Sequence, residues 1–158
     1  ISLRSSAYFV DNSRSSDRPI VLIAYDSRKH GMVQIKTMMP YVDVAGLTPE
    51  GLCFSAIMDE IVKSARGKDA YFVNMCDGMP YYENGYHGTA AIMHTKKQVK
   101  KMRNEGIKVI SYYIGGGYSN STANDDFKTM YGKDAQFINV NKIAEVAKSM
   151  NNKFLEII

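Results

Sequence analysis

The chain has 158 residues, enough for one domain with a substantial hydrophobic core. Its 45% hydrophobic and 23% charged content is ordinary for a soluble globular fold, and no apolar run reaches the length a membrane span needs. The net charge is +4 with acids and bases interspersed, so neither a membrane nor a nucleic-acid partner is expected.

Residues 3–10 read as a short strand of small residues, followed by a polar loop, "DNSRSSD". "IVLIAYD", residues 20–26, is a continuous apolar run rich in β-branched side chains, as in a strand covered on both faces. "SRKHG" turns the chain, and residues 32–39 read as an edge strand or a loop. A helix is predicted next. Thr48 serves as its N-cap, Pro49 suits its first turn and Glu50 places an acid near its positive end. Leu52, Ile57, Ile61 and Ala65 form the predicted buried stripe, and Gly67 stops the helix.

A second apolar strand follows, "YFVNMC", with Asp77, Gly78 and Pro80 just beyond it. After the Tyr/Gly-rich loop "YYENGYHG", a longer helix is predicted over residues 89–105. Ala91, Met93, Val99 and Met102 are its apolar positions, and Gly106 ends it. Residues 107–114 form a third apolar strand, leading into the flexible loop "GGGYSNSTAND". A short helix over 125–131, a short strand "AQFINV" and a final helix capped by Asn141 complete the pattern. Strand and helix alternate from Ile20 onward. This predicts an α/β fold: a three-layer, open, mostly parallel sheet with helices on both faces, all within one domain spanning 1–158.

In an open parallel sheet, ligands gather at the carboxyl ends of the strands. Asp77 falls at such an end, and Thr48 falls in the loop opening a preceding helix. A carboxylate and a hydroxyl are hard oxygen donors, suited to Mg²⁺ or Mn²⁺, with Ca²⁺ as a further candidate. Two donors alone make a poor site, so a further oxygen cluster is expected nearby. Other features carry less. Lys96, Lys97, Lys100, Lys101 and Arg103 read as a solvated helix face. "GGGYSNS" lacks the lysine and spacing of a phosphate-binding loop. Tyr81, Tyr82 and Tyr86 read as a recognition rim or a packed loop, while His87 and His94 lack a third ligand for zinc. Cys53 and Cys76 lack partner spacing and read as free thiols of a reducing compartment, the cytoplasm.

"AGLTPEGLCFSAI" followed by "FVNMCDGMP" resembles the von Willebrand factor A-type domain, in which a Thr before a helix and an Asp in a strand-end segment help build a metal-ion-dependent adhesion site. "TKKQVKKMRNEGIKVISYYIG" is similar to the family's continuation, and the likeness covers roughly residues 20–155. "TPEGL" and "MYGKDAQFINV" most resemble the C-terminal domain of CobT-type cobaltochelatase subunits, including bacteriophage CobT-like proteins. The resemblance implies a Rossmann-like fold, metal bound through Thr48 and Asp77, and a role as partner of a MoxR-type AAA+ ATPase or another protein supplying a carboxylate. It implies no catalytic nucleophile. It also places the chain in the cytoplasm, the host's if it is phage-encoded.

The family's first strand ends in Asp-x-Ser-x-Ser. Here Asp11, Ser13 and Ser15 have those letters but follow a strand of Ser, Ala and Tyr, with no amphipathic helix after them. The chain begins at Ile1, and the missing strand and helix are expected upstream, leaving this domain N-terminally incomplete. Two other readings stand beside the binding module. One is a Mg-dependent phosphoester-cleaving enzyme using Asp77 with Asp26 or Asp43; the other is a structural component of a larger assembly.

Overall fold

The fold was obtained as a computed structural model, described for residues 2–7, 20–26, 29–38, 40, 47–76, 79–82, 85–115, 121–139, 148–149, 151–152 and 155. Strand β1 (Ser2–Ala7) pairs antiparallel with β2 (Ile20–Asp26), and α1 (Met32–Met38) follows. Helix α2 (Glu50–Ala65) leads into β3 (Tyr71–Cys76), α3 (Gly88–Asn104), β4 (Lys108–Gly115), α4 (Ser121–Tyr131) and β5 (Ala135–Asn139). Strands β3, β4 and β5 form an open parallel sheet in that order. The chain is an α/β protein, as its alternating pattern predicts.

Residues 32–38 form a helix, not the edge strand or loop read from the sequence. Met32, Ile35 and Met39 recur at helical spacing, and Met, Gln and Lys favour helices. Thr37 Oγ1 donates to the Val33 carbonyl four residues back, 3.0 Å away, a bond that needs this geometry.

The parallel register decides which side chains meet the helices. Phe72 lies opposite Val109, Asn74 opposite Ser111 and Cys76 opposite Tyr113. Ser111 and Tyr113 in turn face Ala135 and Phe137. Alternation along each strand puts all of these on one face. Helices α2, α3 and α4 lie side by side against it. Phe54 of α2 meets Phe72 edge-on, with ring centres 5.0 Å apart. Phe127 of α4 packs on Tyr113 at 5.3 Å and on Phe137 at 5.6 Å. Val99 and Met102 of α3 are fully buried between these neighbours. The opposite face carries Ile110 and Tyr112, both buried. The final helix expected from Asn141 is described only at residues 148–149, 151–152 and 155, all helical; the rest of it lies outside the described residues.

The buried stripe of α2 differs from the predicted one. Phe54, Met58, Ile61 and Ala65 point inward, while Leu52 and Ile57 are half-buried flanks. Both stripes have helical spacing; Phe54 wins because its ring meets Phe72. On α3, Met93 is half exposed and Ile92 takes the core position. Arg103 ties the ends of two helices together, donating to the Tyr131 carbonyl at 2.6 Å and to Asp134 at 2.9 Å.

Candidate functional site

The carboxyl end of β3 and the start of α2 meet at one edge of the parallel sheet. Thr48 lies there, but it does not cap the helix. The Pro49 carbonyl accepts the first helical bond, from Cys53 N at 2.9 Å, so Pro49 is the N-cap and offers no side-chain acceptor. Thr48 is instead committed one residue earlier. Its carbonyl accepts the Tyr81 N–H at 2.9 Å in an isolated antiparallel bridge. Pro49 and Pro80, beside the bridge, are both fully buried. The helix-opening segment and the segment after β3 are thus joined main chain to main chain, with the Thr48 side chain half-buried. Asp77 lies outside the described residues, as do Asp43, Asp11, Ser13 and Ser15, and the Asp26 side chain.

A second tie runs beneath the edge. Glu50, the first residue of α2, is 6% exposed. Its Oε1 accepts from Asn74 Nδ2 at 2.5 Å. The same Asn74 nitrogen lies 3.0 Å from Ser111 Oγ and 3.2 Å from the Tyr131 hydroxyl. One amide therefore gathers oxygens from α2, β4 and α4. Burial raises the Glu50 pKa above the usual carboxyl range, against the opposing effect of the Asn74 hydrogen bond. Tyr131 is pushed well above a free phenol by burial and by the nearby Glu50 charge.

A third tie fixes the tyrosine loop. Tyr82 N–H donates to the Tyr86 carbonyl at 2.7 Å in an isolated antiparallel bridge, and Gly85 takes a φ of 83°. The Tyr86 hydroxyl lies 3.0 Å from His94 Nδ1, and Gln98 Nε2 lies 2.9 Å from His94 Nε2. If Gln98 donates, the neutral imidazole carries its proton on Nδ1 and donates to Tyr86. Burial and the positive Lys97 both lower the His94 pKa, which favours that neutral form. The Tyr86 hydroxyl sits over Gly51, leaving no room there for a side chain. Tyr81, half exposed, stacks on His87 at 6.0 Å. The tyrosine loop therefore borders this edge, with Tyr86 packed against His94 and Tyr81 half exposed.

Among the described residues, no three or more His, Cys, Asp or Glu side chains gather as metal ligands. Thr48 offers a half-buried hydroxyl, a hard oxygen donor. Glu50 is turned inward to Asn74, so it belongs to the support beneath the edge. His87 is engaged with Tyr81 and His94 with Tyr86 and Gln98, so the two histidines have separate partners. Cys53 and Cys76 are both buried and form no disulfide. An open groove of about 510 Å³ lies at the other end of the sheet, between the carboxyl ends of α2 and α3; Arg66, Lys68, Asp69 and Glu105 line it.

Glu50, Asn74, Ser111 and Tyr131 are the residues the sequence reading missed. A signal for two of them was present. Asn74 and Ser111 each interrupt an apolar strand, and both fall on the helix-facing side once the strands are paired.

No protein-family model matches the chain, and no curated protein matches it. Among the described residues, no helix is long and apolar enough to cross a membrane.

Proposed function

We propose that this sheet edge is a metal-dependent protein-docking site of the von Willebrand factor A type. The reading is carried by the bridge from Tyr81 N–H to the Thr48 carbonyl, which joins the two segments bearing the candidate ligands at the carboxyl end of a parallel sheet. Thr48 and Asp77 hold Mg²⁺, Mn²⁺ or Ca²⁺, and the ion supplies an open position for a carboxylate of the partner. The chain's own part is to fix the Thr48 hydroxyl against a rigid backbone joint and to frame the edge with Tyr81 and Tyr86. The partner is an AAA+ ATPase of the MoxR type, within a CobT-like complex, as the resemblance of "TPEGL" and the strand-end "DGMP" implies.

Isothermal titration with MgCl₂, MnCl₂ and CaCl₂ tests the ion, with a chelator as control. Saturable binding is expected in the wild type, with loss in Asp77→Ala and marked weakening in Thr48→Ala. A wild-type chain that binds none of the three ions at millimolar concentration overturns the reading.

A further inference from the structure

We infer that the exposed face of α3 is a docking surface for an acidic helical segment of a partner protein. This surface is separate from the sheet edge and does not depend on a metal ion there. Helix α3 carries Lys96, Lys97, Lys100, Lys101 and Arg103 and no acid along its 17 residues. The whole chain has 20 basic and 16 acidic residues, so outside α3 it has 15 and 16. The entire positive excess of the protein therefore sits on this one helix. Val99 and Met102 turn one side of α3 into the core. The other side leaves Met93, Lys96, Lys97, Lys100 and Lys101 exposed.

Helix stability does not account for this pattern. Cations near a helix carboxyl end complement the macrodipole, which explains Lys101 and Arg103 of the last turn. Lys96, Lys97 and Lys100 lie before that turn. Among the described residues, the four lysines have no acid as an ion-pair partner. They stand instead at like-charge spacings: Lys96–Lys100 and Lys97–Lys101 four residues apart, Lys97–Lys100 three apart. Each such pair weakens a helix. A facing row of carboxylates removes that repulsion and fixes the choice of partner through charge complementarity. Residues four apart rise about 6 Å along a helix, so acids at the same spacing on a second helix laid alongside match both lysine rows. Met93 favours a protein over a phosphate backbone. It is 51% exposed at the amino end of the rows, where an apolar side chain of a peptide can cover it. The one arginine of α3, the residue type best shaped for bidentate phosphate contacts, is turned to Asp134.

The probe is a fluorescein-labelled synthetic helical peptide with Glu recurring at i, i+3, i+4 and i+7 and a Leu one turn away, followed by anisotropy as the full chain is added at low and at physiological salt. A peptide of the same composition with its acids spread around the helix, a short DNA duplex and phosphatidylserine vesicles are the competing arms. Saturable binding of the ordered peptide is expected, weaker as salt rises. The triple variant Lys96→Gln, Lys97→Gln, Lys100→Gln should bind about tenfold more weakly and with a shallower salt dependence. Met93→Ser should bind about fivefold more weakly with the salt dependence unchanged, since it removes apolar contact and no charge. Lys63→Gln with Lys68→Gln, both exposed lysines away from α3, should bind as the wild type does. The triple variant should also unfold at a higher urea concentration, because its like-charge pairs are gone. Several results overturn the inference: no binding of the ordered peptide, equal affinity for the spread peptide, or tighter binding of the duplex or the vesicles. Wild-type affinity in the triple variant does so too, as does a lower urea midpoint, since the lysines then serve the helix itself.

Discussion

Alanine at position 51 measures how tightly the start of α2 is closed against the tyrosine loop. Gly51 has no positive φ, so its backbone accepts any residue and only contact opposes a side chain. A Cβ built there falls 2.4 Å from the Tyr86 hydroxyl, 2.8 Å from Thr95 Oγ1 and 3.0 Å from His94 Nδ1. Favourable non-bonded separations are about 3.5–4.0 Å, so the overlap with Tyr86 is on the order of 1 Å. Overpacking of that kind typically costs about 1–3 kcal/mol. The better helix propensity of alanine returns at most about 1 kcal/mol. Gly51→Ala should therefore destabilise the protein by about 1–2 kcal/mol, where a helical Gly→Ala change would ordinarily stabilise. Tyr86→Phe removes the nearest atom, so in that background the loss should shrink by about 1 kcal/mol. Urea unfolding followed by far-UV circular dichroism suits a chain without tryptophan, and the four variants close a double-mutant cycle. A neutral or stabilising Gly51→Ala, or strict additivity with Tyr86→Phe, would refute the tight approach.

Stability should fall with rising pH through Glu50. Burial raises its folded pKa above the unfolded value, so its contribution is complete below the ordinary 4.5 and is lost as pH rises through the folded pKa. Urea midpoints of Glu50→Gln should lose this dependence, and parallel pH curves for the two proteins would contradict it. Gly106, at the end of α3, has a φ of 79° and open space around its Cβ position. Gly106→Ala should thus cost about 1–2 kcal/mol from backbone strain alone, and Gly106→Asn less, as judged by shifts in urea midpoint. Phe127 is fully buried amid Tyr113, Tyr131 and Phe137. Phe127→Ala should remove about 3–5 kcal/mol, while a loss under about 1 kcal/mol would mean the sheet's helix-facing side is not packed as described.

The framework was legible where the physics is local. Apolar runs announced β2, β3 and β4, and Gly106 marked the end of α3. Interior facing was harder to read. Leu52 and Phe54 are both apolar residues of α2, and only the position of Phe72 across the interface decides between them. Thr48 shows the same limit. A threonine before a proline-led helix is a sound N-cap by local rules, yet its backbone is claimed by Tyr81, more than 30 residues away. The closeness of the Thr48 segment to the chain beyond β3 was expected; the means, a main-chain bridge, was not. Glu50 read only as an acid near the positive end of the helix dipole. Its burial depends on Asn74, Ser111 and Tyr131 arriving from three other elements, which spacing within α2 does not encode.

The joint between residues 48 and 81 has a practical consequence for redesign. Because the hydrogen bond runs between peptide groups, neither side chain is needed to make it. Position 48 can exchange its hydroxyl for a carboxyl or an amide, and position 81 its phenol for a charge, while the scaffold beneath keeps its shape. The chemistry presented at this joint can thus be rewritten on a foundation that does not have to be rebuilt.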